Sequence, residues 1–220
     1  MNARFSNLLC SLPLIAWYLW GLSGEIPVFI FRLHELAAGT RVGDFSLLHL
    51  VAQATNIGFI SLVVILLLVR ETPRSSARGV APYLATMVGT FLIASFLFLP
   101  RATLAPSTFI VATSLVIIGF ALSIYTLTFL GRSFAILPSA RTLVTDGPYR
   151  YVRHPLYLFE EIAIVGLVLQ YAQPWALIVM VIHLDAQLAR MHYEEQTLTQ
   201  AFPDYAMYAS RTARLIPGFY

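Results

Sequence analysis

The stretch LYLFEEIAIVGLVLQYAQPWALIVMVIHLDAQLA (Leu156–Ala189) decides how this chain folds. It is almost wholly apolar, and at 34 residues it exceeds the ~20 apolar residues that cross a bilayer as one helix. Pro174 interrupts it, because proline lacks a backbone N–H and disfavours helical geometry at the residue before it. The reading is two helices, Leu156–Tyr171 and Pro174–His192, joined by a tight turn at Gln170–Pro174. A hairpin returns the chain to the face it left. The polar segment Gly131–Pro155 and the polar tail from Glu194 then share one membrane face, although they are far apart in sequence.

The rest of the sequence agrees with a membrane protein. Of 220 residues, 58% are hydrophobic and 11% charged, whereas soluble domains carry about 25% charged residues. Further apolar blocks mark candidate helices at Leu8–Phe31, Phe45–Val69, Val80–Leu99 and Ser107–Leu130. Glu25 and Pro27 interrupt the first. Arg4 precedes an apolar run with no clear small-residue cleavage site, so this segment reads as a retained anchor helix. Cys10 is the single cysteine, which excludes an intramolecular disulfide and a Cys-x-x-Cys pair. No metal site is expected, and with a net charge of only +3 no nucleic-acid partner is expected either. The fold class is all-α and polytopic. About six membrane helices are expected, the last two forming the hairpin, with a cytosolic C-terminal helix carrying Tyr205, Tyr208 and Arg211. Residues 1–130 form the N-terminal membrane helices and residues 131–220 a C-terminal module.

Arginine placement orients this topology. With the N-terminus inside, Arg4, Arg70, Arg74, Arg78, Arg132, Arg141, Arg150 and Arg153 fall on the cytoplasmic side. Arg32, Arg41 and Arg101 fall outside. The hairpin adds Arg190, Arg211 and Arg214 to the cytoplasmic side, whereas a single span would send them out.

The second hairpin helix carries a polar stripe. His183, Gln187, Arg190 and Glu194 are spaced four, three and four, so they share one face. Charged groups at membrane depth usually point into a protein interior or cavity. The opposing segment offers Arg153 and His154, and Pro155 starts the next helix, where proline is favourable. The open N-terminus of that helix suits a carboxylate or another anion. Plainer roles compete. Arginines near helix ends snorkel to headgroups, and Arg190 with Glu194 fits an ordinary i,i+4 pair. His49 and His183 read more readily as hydrogen-bonded core residues than as haem ligands. Gln53 and Asn56 read as helix-to-helix contacts, and Glu160–Glu161 either as a proton-relay site or as partners of nearby arginines.

No G-x-G-x-x-G fingerprint, P-loop, G-x-S-x-G elbow or H-E-x-x-H pair is present. Three blocks instead carry a resemblance: TLVTDGPYRYVRHPLY (Thr142–Tyr157), RMHYEEQTL (Arg190–Leu198) and FPDYAMYASRTARLIP (Phe202–Pro217). In this order they resemble the isoprenylcysteine carboxyl methyltransferase family, and more broadly the integral membrane methyltransferases that include phospholipid methyltransferases. The likeness covers roughly the last 80 residues. It implies S-adenosylmethionine (SAM) bound without a Rossmann domain. By position, the cofactor contacts it implies fall on Arg141, Thr142, Leu143, Val144, Tyr149, His154, Pro155, Leu156, Tyr157 and Glu194. It places Arg190 on the acceptor side, near the transferred methyl, and Arg153 is grouped with it as a catalytic candidate. Two features depart from the family pattern: Phe159 stands where a glycine is common, and the Glu160–Glu161 pair is not general.

The chemistry of these residue types agrees. An arginine and a helix N-terminus suit the carboxylate of SAM, Glu194 its amine or ribose hydroxyls, and Tyr149 or Tyr157 its adenine. Aligning acceptor, methyl and sulfur can supply ~7–11 kcal/mol. A carboxylate acceptor suits a two-pronged contact from Arg190. An amine acceptor needs a base, for which Glu160, Glu161 and His183 are the candidates. The sequence therefore points to a SAM-dependent methyltransferase at the cytoplasmic face, acting on a lipid-like or lipidated membrane-soluble acceptor. Carboxyl O-methylation comes first and N-methylation of a lipid amine second. The non-enzyme rival, a small transporter or ion-binding bundle, needs its functional residues near mid-bilayer, at His49, Gln53 and His183.

Overall fold

A computed structural model of the chain describes residues 3–39 and 46–218. Arg41 and Phe45 lie outside the described residues. Eight α-helices follow in order among those described: α1 (Ala3–Leu9), α2 (Leu12–Ala37), α3 (Ser46–Val69), α4 (Val80–Phe91), α5 (Pro106–Leu130), α6 (Pro155–Tyr171), α7 (Pro174–Ala201) and α8 (Tyr205–Arg211). Two short strands, β1 (Ser75–Ser76) and β2 (Ser139–Ala140), pair antiparallel. The molecule is nearly all-α, as expected. Among the described residues, four helical segments are long and apolar enough to cross a membrane: Leu12–Ala37, Leu47–Val69, Val80–Phe98 and Pro106–Ser133.

Several boundaries differ from the sequence reading for identifiable reasons. The first segment divides into α1 and α2 at Leu12–Pro13, where proline is tolerated in the first turn. α2 then runs through Pro27 without ending. A polar contact from α3 arrives beside it: Gln53 Nε2 donates to the Glu25 backbone oxygen at 3.1 Å and to the Glu25 carboxylate at 2.9 Å. Arg32 donates to the same glutamine at 3.1 Å. Gln53 thus ties two helices together. α4 tightens into a 3₁₀ segment at Leu92–Phe98. α7 continues to Ala201 instead of stopping near His192, so Glu194 belongs to α7 and the tail helix is only α8.

The turn at Gln170–Pro174 is present. Ala172 adopts a left-handed conformation (φ 46°) and Pro174 opens α7. The two helices it joins lean on different neighbours, α6 chiefly on α5 and α7 chiefly on α4. Small residues bring α5 and α6 into backbone contact. A Cβ added at Gly166 would lie 2.6 Å from the Ala112 oxygen, and one at Gly119 2.7 Å from the Ala163 Cβ. Ala112 and Ala163 are themselves buried. Close packing through small side chains is how apolar helices associate where lipid removes the hydrophobic drive.

Gly119→Leu and Gly166→Leu are expected to lower stability by about 1–3 kcal/mol or more through overpacking. Gly21→Ala, where nothing lies within 4 Å of the added carbon, is expected to leave stability unchanged. Thermal unfolding in detergent checks this; an undisturbed Gly119→Leu transition contradicts the α5–α6 contact.

Candidate active site

The segment between α5 and α6 turns on glycines with positive φ. Gly131 (φ 49°) caps α5, and Gly147 (φ 58°) lies against the ring of Phe129, where a Cβ would collide. The segment is held from the side by the α3–α4 connection. Arg74 N–H donates to the Ala140 oxygen at 2.8 Å and Ala77 N–H to the Pro138 oxygen at 3.0 Å. Thr142 donates its hydroxyl to the Glu71 carboxylate at 3.0 Å.

From below, the tail straps the same segment. Arg153 N–H donates to the Ala213 oxygen at 2.8 Å and His154 N–H to the Arg214 oxygen at 3.2 Å. The Arg153 guanidinium meets Glu195 at 2.9 Å and donates to the oxygens of Ala209 (2.5 Å) and Thr212 (3.0 Å). Arg214 and His154 converge on the same Glu195 oxygen at 3.3 and 3.2 Å. Tyr208 donates to the Tyr149 backbone oxygen at 2.7 Å. The loop and the tail therefore meet at one end of the helix bundle.

Between them lies a cavity of mixed lining, the more polar of two and hereafter the polar cavity. Its wall includes Thr142, Leu143, Val144, Tyr149, Arg153, His154, Leu156, Tyr157 and Glu194, together with Leu198, Tyr205 and Tyr208. Eight of the ten cofactor positions expected from the sequence resemblance are among these. Pro155 and Arg141 are not in this wall. Pro155 instead opens α6, and His154 provides no side-chain cap, so the first-turn N–H groups of Leu156 and Tyr157 have no intrahelical acceptor. Arg141 is buried and turned aside, donating to the Glu71 oxygen at 2.7 Å and to the Ser139 hydroxyl. Burial, then the nearby Arg70 charge, pushes it down to about 10.

A second, largely apolar cavity lies among the helices. Tyr18, Phe59, Ile60, Gly89, Phe120, Ile164 and Leu167 line it, with Glu160, His183 and Arg190. The two cavities share Ala135, Leu156 and Tyr157. Across this partition runs a continuous polar ladder. Tyr157 donates to Glu194 on the polar side. The Arg190 guanidinium stacks over the Tyr157 ring at 4.9 Å. Arg190 also donates to the Gln187 oxygen at 2.7 Å and to the Ile136 oxygen at 3.0 Å. Gln187 in turn donates to Glu160 at 3.0 Å. Arg190 forms no recorded ion pair with Glu194, so the simple i,i+4 pair is not what the geometry contains. The Glu160–Glu161 pair faces α7 instead of the loop arginines: Glu161 meets His183 Nδ1 at 2.8 Å, and His183 Nε2 meets the Gly89 oxygen at 3.0 Å. Both imidazole nitrogens are thus engaged within the protein. His49 packs its ring on Phe109 at 4.5 Å.

Burial raises the Tyr149 phenol well above its ordinary range, with the Glu194 charge adding to it. Tyr149 therefore stays a neutral donor in the cavity wall. Tyr205, which the sequence places only on the C-terminal helix, lines the cavity with a buried hydroxyl that has no hydrogen-bond partner among the described residues. Burial raises it too. Glu195 and Glu71 were not singled out in the sequence. The Glu-Glu doublet at 194–195 carries a signal for the first. Nothing local marks the second, whose partners are about 70 residues away.

Residues 100–205 match the family model described as phospholipid methyltransferase. This is a little under half the chain, from just before α5 to the start of α8, and it contains both cavities' shared wall. The match supports a membrane methyltransferase. Among curated proteins, 77 residues are 36% identical to the cobalt-zinc-cadmium resistance protein CzcN of Cupriavidus metallidurans, covering 34% of this chain and 36% of that one. A 76-residue stretch is 36% identical to the nickel-cobalt-cadmium resistance protein NccN of Alcaligenes xylosoxydans xylosoxydans, with the same shares. The chain spans about a third of the length of the curated relatives it matches. Among the described residues, no group of three or more His, Cys, Asp or Glu is gathered as a metal site.

Burial works against the charge of Glu195, but His154, Arg214 and Arg153 outweigh it and hold its pKa below the ordinary 4.5. A lowered folded value means that its contribution is complete above about 4.5 and is lost as pH falls through the folded value. Limited proteolysis is expected to spare the tail near neutral pH and to release it in acid. Glu195→Gln is expected to be cut at both. A tail equally protected in wild type and Glu195→Gln contradicts the latch.

Proposed function

We propose that this chain is a SAM-dependent methyltransferase whose acceptor is dissolved in the membrane. The observation that carries this reading is the pair of cavities, one of mixed polar and apolar lining and one largely apolar, with Ala135, Leu156 and Tyr157 in the lining of both. A charged, water-soluble donor and a lipid-phase acceptor need two such spaces with a thin shared wall.

The polar cavity suits SAM on its own chemistry. Glu194 offers a carboxylate for an amine or for ribose hydroxyls. The α6 N-terminus offers uncapped N–H groups for a carboxylate. Leu143, Val144 and Leu198 give apolar cover, and the unpartnered Tyr205 hydroxyl offers one more donor. When bound, SAM supplies a methyl group on a sulfonium. The protein's part is to bind it, keep water from the partition and align the acceptor. His154 and Arg153, latched by Glu195 and the tail, shape the wall. In this reading Arg153 positions the site more than it touches the reactants. The catalytic module remains residues 131–220, with its polar face in the cytoplasm on the arginine distribution.

The geometry also bears on the acceptor. Carboxyl O-methylation of an isoprenylcysteine-like acceptor calls for a free guanidinium fork. Arg190 commits its two terminal nitrogens to Gln187 and Ile136 and its face to Tyr157, so that only Nε is left over among the described residues. Glu160 also lines the inner cavity, and it would repel a carboxylate. Both observations favour the second reading, N-methylation of a lipid amine. A transporter reading finds little support at mid-bilayer, where Gln53 and His183 are engaged in helix-to-helix contacts.

Glu194→Ala is expected to weaken SAM binding by about 1.5–3 kcal/mol, the range for a lost hydrogen bond to a charged group. Glu25→Ala is expected to leave it unchanged, and Arg190→Ala to keep most SAM affinity while losing transfer. Calorimetric titration of folded, detergent-purified variants measures this. Unchanged affinity in Glu194→Ala removes the polar cavity as the SAM site.

A further inference from the structure

Glu160 and His183 line the inner cavity and Glu161 pairs with that histidine; all three are able to accept a proton, and their geometry separates them. His183 Nε2 faces a carbonyl oxygen, Gly89 O, at 3.0 Å. A carbonyl only accepts, so Nε2 carries the hydrogen. His183 Nδ1 then shares one further proton with Glu161, 2.8 Å away. Whichever partner holds that proton, the pair satisfies itself. It locks α7 to both α4 and α6. Removing a proton from it, or adding one, would break a buried contact, so it is a poor sink.

Glu160 differs. Gln187 Nε2 donates to one of its oxygens at 3.0 Å. The other oxygen has no hydrogen-bond partner among the described residues, and the residue lines the inner cavity. A glutamine amide is a neutral donor. It orients the carboxylate without supplying a proton of its own. The same Gln187 accepts from Arg190 at 2.7 Å, and Arg190 stacks on Tyr157 in the wall shared with the polar cavity. Glu160 is thus a carboxylate with a fixed orientation and one open oxygen, connected to the partition by two side chains.

Resting on the methyltransferase reading above, we propose that Glu160 is the proton acceptor for the methyl acceptor, which is an amine carried by an apolar chain. An ammonium has no lone pair with which to attack. In the proposed step its N–H bond breaks, the proton moves to the open oxygen of Glu160, and the electron pair stays on nitrogen. That pair is the one that forms the new bond to carbon, while the donor's carbon–sulfur pair remains on sulfur. The product leaves as a methylated ammonium, and Glu160 is reset by losing its proton.

A structural role is the rival. If Glu160 only satisfies Gln187, a glutamine in its place keeps the size and a hydrogen-bond acceptor, and little changes. Titratable groups near it are Tyr18 on α2, Tyr149 in the segment before α6, His183 and Arg190 on α7, and Tyr157 and Glu161 on its own helix. The cavity residues from α3, α4 and α5 have none. A pH effect must therefore be assigned by substitution.

The experiment uses the full chain in detergent micelles, with dodecylamine as the probe acceptor and methyl-labelled SAM. Glu160→Gln is expected to keep SAM affinity within about twofold and to lower single-turnover transfer at least ~100-fold, the lower end for a lost general base. It is also expected to weaken dodecylamine binding measured without SAM. Wild-type transfer rises with pH to a plateau, and this rise is lost in Glu160→Gln. Glu160→Asp, which retains a carboxylate, recovers part of the rate. A wild type that transfers label alongside a Glu160→Gln variant with equal rate, pH profile and amine binding overturns the Glu160 role alone. A wild type that transfers label only as a base-labile ester overturns the amine class and the proton acceptor with it. A wild type that neither binds SAM nor transfers label overturns the methyltransferase reading and this proposal together.

Discussion

The buried charge of Arg190 is the constraint around which the rest is arranged. A guanidinium enclosed among apolar helices is tolerable only if its donors and its face are largely satisfied. Here Nε alone is left without a partner among the described residues, while Gln187 and the Ile136 carbonyl take the two terminal nitrogens and the Tyr157 ring takes the face. Each draws in a different part of the chain. Gln187 brings α7 to Glu160 on α6, Ile136 brings the connection after α5, and Tyr157 brings the first turn of α6. Gly89 lets α4 approach closely, since a Cβ there would stand 3.1 Å from the Arg190 side chain. One charge thus gathers four elements at the boundary between a polar and an apolar cavity.

The apolar blocks made the helices legible, and Pro174 made the hairpin legible, because proline's missing donor acts locally. The polar stripe on α7 was equally readable, since helical period alone puts His183, Gln187, Arg190 and Glu194 on one face. What they touch was not readable. Arg190 and Glu194 have the spacing of an ion pair, yet Tyr157 stands between their roles, taking the carboxylate with its hydroxyl and the cation with its ring. Arg141 matches the family pattern by position but turns to the Glu71 backbone, a partner about 70 residues away. The extension of α7 to Ala201 is not legible locally, because polar composition marks the end of an apolar span and not the end of a helix. Helical geometry does not require apolar residues, only partners, and the tail supplies them.

The tail latch and the ladder have different duties. Glu195 gathers Arg153, His154 and Arg214, fixing the entrance to α6 and so the shape of the polar cavity. The ladder from Glu194 to Glu160 links the two cavities through side chains, with no backbone hinge required. Of the residues noted in the sequence as departing from the resemblance, Glu160 falls on this second device. Glu160 lines the inner cavity, so in the proposed reading whatever distinguishes the acceptor is expected to be read there and not in the polar cavity.

The central claim is that a methyl group crosses from a water-side donor to a lipid-phase acceptor at the Tyr157–Leu156 wall. The most direct measurement is incubation of the purified chain with methyl-labelled SAM and a total membrane lipid extract, followed by phase separation. Label that appears in the lipid phase, survives base and requires Arg190 is the expected result. Label that stays entirely in the aqueous phase, with SAM bound but no lipid modified, contradicts it.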